Sequence, residues 1–268
     1  MSDHGTAPRW AQLRRAGRTA LIPYLTAGYP TRAASLAALR MVAEAGADLI
    51  ELGVPFSDPV ADGPVIQRAS EAALRDGMTV GGALELVRQA ALDVPVVLFG
   101  YLNPLLAYGV PRFLDDATAA GVAGVLLTDL PAGEDPELER LVGASGLDLI
   151  PLVALTTTEE RARRVLRRAT GFVYVVARLG VTGSITTLST ALDAAVRRFR
   201  RATELPLAIG FGIASGPQAA AAAALGDGIV VGSALVERLG QGLEPARDLM
   251  LELRAALDAR PAGAQGAA

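Results

Sequence analysis

The feature that most constrains this chain is an alternation of short apolar runs with longer amphipathic stretches, repeated eight times within 268 residues. The runs are Ala20–Thr26, Leu49–Val54, Val94–Tyr101, Gly124–Asp129, Leu149–Leu155, Phe172–Arg178, Leu207–Phe211 and Gly228–Gly232. They are rich in Val, Ile and Leu without strict alternation, the pattern of parallel strands covered on both faces. Between them, Ala34–Ala45, Pro136–Ala144, Thr158–Ala169, Leu188–Thr203 and Pro217–Leu225 carry helical periodicity, often starting at Ser, Thr or Pro and stopping at Gly. Eight strand–helix units predict an α/β fold, a (β/α)8 barrel of the TIM type, as one domain over residues 1–268. The longest interval, between the second and third runs, holds two helical patterns, Val65–Arg75 and Val80–Ala91, so an extra helix is expected there. Another, Trp10–Arg15, precedes the first run and is placed to plug the barrel base. Residues 1–8 and 260–268 are expected to fray. A doubly wound sheet would carry a glycine fingerprint after its first strand, whereas Thr26-Ala27-Gly28-Tyr29-Pro30 stands there.

What the chain lacks limits its chemistry. It has no cysteine, one histidine (His4) and no lysine, all 25 basic residues being arginine. Thiolate attack and Schiff-base formation are therefore excluded, and a zinc site would lack its usual ligands, so no metal is expected. Acid–base work falls to Asp, Glu, Tyr and hydroxyls. The net charge of −3 gives no basic footprint for nucleic acid. The arginines of 161–168 spread around a helix and read as a solvated face. Two uncharged stretches, Val94–Pro111 and Leu205–Gly226, are broken by Pro, Gly and polar residues and do not read as membrane spans. The first twenty residues have no apolar core of a secretory signal, so a cytoplasmic protein is expected.

In such a barrel, function gathers at the C-terminal ends of the strands. Three places stand out there. The second run leads into Glu51-Leu-Gly-Val-Pro-Phe-Ser-Asp-Pro-Val-Ala-Asp62-Gly-Pro64. Glu51 is a carboxylate inside an apolar run, pointing either into the mouth, where burial would raise its pKa toward that of a general acid, or outward as an ion-paired strand residue. Its loop is long and stiffened by proline, and Glu51 with Asp62 is a candidate acid–base pair. Across the mouth, Ile209-Gly-Phe-Gly-Ile213 and Val231-Gly-Ser-Ala234 bring glycines, a hydroxyl and a helix N-terminus together, either as a phosphate cup or as tight strand–helix turns. Arg178–Thr187, rich in glycine and hydroxyls, is either a lid or a merely mobile loop.

The Glu51–Pro64 segment closely resembles the signature of the tryptophan synthase alpha chain family. The likeness extends through Ile22–Gly28, Tyr101-Leu-Asn-Pro104, Asp129-Leu-Pro131, Gly180–Gly183, Gly210–Ile213 and Val231–Leu235. It implies a lyase that cleaves indole-3-glycerol phosphate by retro-aldol chemistry to indole and glyceraldehyde 3-phosphate, in tryptophan biosynthesis. Glu51 would protonate the ring carbon bearing the glycerol chain, and Asp62 would take or hold the indole N–H proton. Tyr24, Phe99, Leu126 and Tyr174 would line the indole pocket. Gly183, Phe211, Gly212, Gly232 and Ser233 would hold the phosphate, and Thr182 would meet Asp62 when a lid closes. No cofactor is implied on this chain; pyridoxal phosphate would belong to a partner beta chain in an alpha2–beta2 tetramer. Pro55, Phe56, Asp58, Pro59 and Asn103 would face that partner. A stand-alone lyase releasing free indole and a mainly regulatory subunit are the alternatives. The chain departs from the family's usual pattern at Gly100, Thr128, Leu155–Thr158, Ala177 and Leu179.

Overall fold

The computed structural model describes residues 5–130, 133–177, 185–210 and 212–259. Nine strands and twelve helices follow one another along them. The strands are β1 (Ala20–Thr26), β2 (Ile50–Gly53), β3 (Val96–Gly100), β4 (Val122–Leu127), β5 (Asp148–Leu149), β6 (Leu152–Ala154), β7 (Val173–Val176), β8 (Leu207–Gly210) and β9 (Gly228–Val231). The helices are α1 (Ala7–Ala16), α2 (Arg32–Glu44), α3 (Pro64–Arg75), α4 (Val80–Ala90), α5 (Leu102–Tyr108), α6 (Val110–Ala119), α7 (Pro136–Ser145), α8 (Glu159–Leu166), α9 (Ile185–Arg200), α10 (Gly216–Ala223), α11 (Ser233–Gln241) and α12 (Leu243–Asp258). Several begin where a side chain can take up a free backbone N–H. Thr31, Thr79, Asp135 and Thr158 cap α2, α4, α7 and α8 by accepting from the residue three positions on. Such a cap stabilises a helix by about 1 kcal/mol.

All strand pairings are parallel, in the order β5-β4-β3-β2-β1-β9-β8-β7-β6. The expected fifth strand, Leu149–Leu155, is divided at Ile150-Pro151 into β5 and β6, so nine strands stand where eight runs were read. Ile150 N–H still bonds Val125 of β4, while the Pro151 carbonyl accepts from Tyr174 of β7. One short segment thus carries both ends of the sheet and closes the barrel. Proline has no N–H to give the ladder, which is why the strand breaks there.

Two apolar layers follow from the inward–outward alternation of the strands. One, including Leu21, Leu25, Ile50, Leu52, Val125 and Ile209, lies between sheet and helices. The other fills the barrel with Ala20, Ile22, Leu49, Val97, Leu126, Ile150, Phe172, Ala208 and Val230. Trp10 and Leu13 of α1 belong to this inner layer, and the Trp10 and Phe172 rings lie 5.5 Å apart, so α1 does plug the base. Gly228 makes room for it: a Cβ there would sit 2.9 Å from the Trp10 ring. Of the N-terminal stretch expected to fray, residues 1–4 lie outside the described residues. Thr6, by contrast, is buried and donates its N–H and hydroxyl to Asp148 at 2.7 and 2.9 Å. The other expected fraying tail, 260–268, also lies outside them.

Candidate active site

The second strand settles the direction of Glu51. Its neighbours in register are Tyr24 on β1 and Val97 on β3, and Val97 belongs to the barrel interior. Glu51 therefore points inward, near the C-terminal end of the barrel, and is 0% exposed. Neither carboxyl oxygen has a hydrogen-bond partner among the described residues. An ionised carboxylate in that setting would be costly, and burial alone pushes its pKa up to about 8. Glu51 is thus a neutral acid at neutral pH, able to give a proton. The ion-paired alternative is set aside by the orphaned oxygens.

Around it stand the residues expected to line a ring pocket. Tyr24 meets Phe99 edge-on at 5.3 Å, and Phe99 lies 6.3 Å from Tyr174. Leu126 is paired with Phe99 across β3 and β4 and is fully buried below. Both tyrosine hydroxyls are held well above their ordinary range, by burial first and then by nearby carboxylates, so they remain neutral hydrogen-bonding groups. The tyrosines are fitted by a shared device. Tyr24 pairs with Glu51 and leans over Gly53, two residues on; Tyr174 pairs with Ala208 and leans over Gly210, also two residues on. A Cβ at Gly53 would lie 2.0 Å from the Tyr24 hydroxyl, and one at Gly210 would lie 2.3 Å from that of Tyr174. Each glycine is the space that its neighbouring ring occupies.

Asp62 sits at the end of the loop after β2. Pro59 accepts its backbone N–H at 3.0 Å, while Gln67 of α3 bonds its carbonyl at 3.0 Å. The Tyr101 hydroxyl donates to Asp62 Oδ2 at 3.1 Å and accepts the Ala61 N–H at 3.0 Å. Burial raises the Asp62 pKa, and the Tyr101 hydrogen bond works against that by favouring the charged form. Tyr101 itself is pushed up to about 12, chiefly by burial and then by the negative Asp62. Glu51 and Asp62 act on the same tyrosines electrostatically, which places both at one mouth. Tyr101 was not singled out from the sequence as a site residue, although it lies just past the end of β3, where the strand-end rule points.

Next to β1, on the side away from β2, β9 leads into Gly232, which precedes α11, and no side chain caps the helix start. The first N–H groups of α11 returning to Gly232 are those of Leu235 and Val236, so the N–H groups of Ser233 and Ala234 lie ahead of them. Gly212 has φ +32, a left-handed conformation suited to glycine, with open space where a Cβ would be. Such a helix start favours an anion. Phe211, Gly183 and Thr182, and with them most of the expected lid, lie outside the described residues.

The residues expected to face a partner also group together. Pro55, Phe56 and Asn103 line a groove of about 620 Å³ between the loop after β2, α4 and α5. Phe56, Asp58, Pro59 and Val60 line a neighbouring one of about 680 Å³ against α3. Val60, 86% exposed, and Leu106, 53% exposed, are the most exposed large apolar residues among those described. Among the described residues there is no cluster of potential metal ligands, and no helix long and apolar enough to cross a membrane.

Residues 10–260 match the family model described as tryptophan synthase alpha chain. The tryptophan synthase alpha chain of Granulibacter bethesdensis is 46% identical over 253 residues, covering 93% of this chain and 91% of the relative. That of Gluconacetobacter diazotrophicus is 50% identical over 241 residues, covering 89% and 88%. Among solved structures, a Mycobacterium tuberculosis tryptophan synthase chain superimposes with a TM-score of 0.88 at 40% identity, covering 96% of this chain and 99% of the other. The tryptophan synthase subunit alpha of Legionella pneumophila does so with 0.88 at 34% identity, covering 96% and 99%.

Proposed function

The chain belongs to the tryptophan synthase alpha chain family, whose lyase reaction cleaves indole-3-glycerol phosphate, and from that premise we propose that Glu51 and Asp62 are its acid–base pair. The observation that carries this assignment is Glu51: a fully buried carboxyl group without a partner, kept protonated by its surroundings and set beside an aromatic pocket. An aldol-type cleavage that uses neither lysine nor a metal makes the electron sink in the substrate itself. Glu51 protonates the indole carbon that bears the glycerol chain while Asp62 takes the N–H proton, leaving a ring C=N bond. The adjacent hydroxyl then loses its proton to Glu51 or a relayed base and becomes the aldehyde. As the C–C bond breaks, its electron pair returns to the ring and Asp62 gives the proton back to nitrogen. Indole keeps the proton from Glu51, and the balance closes without a cofactor on this chain.

Tyr24, Phe99, Leu126 and Tyr174 hold the indole, and the tyrosines stay neutral while doing so. Gly212, Gly232 and Ser233 hold the phosphate at the start of α11, with Gly183 and Phe211 completing the cup and Thr182 closing on Asp62. The grooves at Pro55, Phe56, Asp58, Pro59 and Asn103 receive a beta chain, which carries the pyridoxal phosphate, in an alpha2–beta2 assembly. The same reading keeps the chain in the cytoplasm, as one domain.

The test is indole release from indole-3-glycerol phosphate by Glu51→Gln and Asp62→Asn. Each is expected to lose about 10²–10⁴-fold, the range for removing a positioned acid or base. Near-normal release by Glu51→Gln, with substrate saturating, would contradict the assignment.

A further inference from the structure

The ends of β3 and β4 are tied together on both sides of one residue. Before Tyr101, the Gly100 carbonyl accepts the Thr128 N–H at 2.9 Å and the Thr128 hydroxyl at 3.1 Å. After it, the Leu102 N–H donates to Asp129 Oδ1 at 2.8 Å. Tyr101 is the N-cap of α5, yet its side chain makes no capping hydrogen bond. Its hydroxyl is turned to the loop after β2 instead, holding Ala61 N–H and Asp62 Oδ2. Its ring lies 5.1 Å from Phe56, from the same loop. Two consecutive residues of β4's end therefore fix both peptide neighbours of Tyr101, and Tyr101 fixes Asp62.

Asp129 is exposed and Thr128 half-buried, so neither owes its place to core packing. We infer that Asp129, together with Thr128, is a positioning residue for the lyase reaction, acting through Tyr101 to hold Asp62 at the indole nitrogen. This rests on the proposed role of Asp62. Proton transfer is sensitive to such support, because a productive geometry is kept only within about 0.5 Å. Freed of the Leu102 anchor, Tyr101 would hold Asp62 less well. The carboxylate would then lose a donor that favours its charged form, and its pKa would rise.

The experiment compares Asp129→Ala, Asp129→Asn, Tyr101→Phe, the double variant Asp129→Ala/Tyr101→Phe and Asp62→Asn in the full chain, with kcat, KM and their pH dependence as readouts. Asp129→Ala is expected to lower kcat about 5–20-fold, the fold-change for losing one or two hydrogen bonds, with KM moving less. Its acidic limb should move to higher pH, as should that of Tyr101→Phe. Asp129→Asn, whose amide oxygen can still accept the Leu102 N–H, should recover most of the rate. The double variant should be no slower than Tyr101→Phe alone. Unchanged kcat and acidic limb in Asp129→Ala, or losses that multiply in the double variant, would overturn the inference while leaving Asp62 in place. Full activity in Asp62→Asn would overturn the role of Asp62, and the inference with it.

Discussion

Two buried carboxyl groups stand three positions apart, one just before β2 and one within it, and their surroundings differ in every respect that matters. Asp48, just before β2, is at the base. It accepts the Leu21 N–H at 3.0 Å and Arg254 Nη1 at 3.0 Å, with Arg18 3.8 Å away. Arg254 belongs to α12, where it also pairs with Asp258 at 2.6 Å, so its bond to Asp48 fastens the last helix to the first two strands. Glu51, at the mouth, has no partner at all among the described residues. A buried carboxylate that serves stability is paired, whereas an acid that serves chemistry is left ready to exchange its proton. The base of this barrel is built to stay shut, and the mouth keeps an electrostatic cost in place for use.

Exchanging the two roles by mutation gives opposite results if this contrast holds. The largest stability effect is expected at the base. Asp48→Ala would leave the buried Arg254 with only the half-exposed Asp258 as anionic partner and lower stability by about 3 kcal/mol, read from the midpoint of denaturant unfolding. In the protein that remains folded, kcat should be close to normal. A loss of rate without a loss of stability would blur the division.

Glu51→Gln should do the reverse, lowering activity about 10²–10⁴-fold while raising stability. The sign follows from linkage. The folded pKa lies above the unfolded one, so below about 4.5 both states are protonated and Glu51 costs nothing. As pH rises towards about 8, only the unfolded chain ionises and the wild type loses stability. The variant should therefore gain little in acid and roughly a few kcal/mol at alkaline pH. A constant difference across the range would show that the carboxyl is not held neutral.

The smallest effect is expected where the mouth is merely shaped. Gly53→Ala sets a methyl group into the Tyr24 hydroxyl and should cost about 1–3 kcal/mol of stability, the usual range for overpacking. Its signature is a raised KM for indole-3-glycerol phosphate, which Gly53→Ala/Tyr24→Phe should partly relieve.

The parts legible in the sequence were those that depend on order along the chain. The apolar runs gave the barrel, Trp10 gave the plug, and the segment from Glu51 to Asp62 gave the candidate pair. What was hidden depends on neighbours across strands. Pro151 sits inside an apolar run that reads as continuous, and only the pairing of Ile150 with β4 and of the Pro151 carbonyl with β7 divides it. Gly53 and Gly210 read as a motif position and an anion glycine. Their service to Tyr24 and Tyr174 comes from the register of β1 with β2 and of β7 with β8. The direction of Glu51 was open because an apolar run covered on both faces has no period to tell inside from outside. Tyr101 lies 39 positions from Asp62, and no local pattern joins them.

Burial keeps Glu51 protonated at neutral pH, and on this the chemistry of the mouth depends. The most direct measurement is the carbon-13 NMR titration of its side-chain carboxyl, identified by the signal missing in Glu51→Gln. A midpoint near 8 is expected; one near the ordinary 4.5 would show that the carboxyl group is ionised at neutral pH.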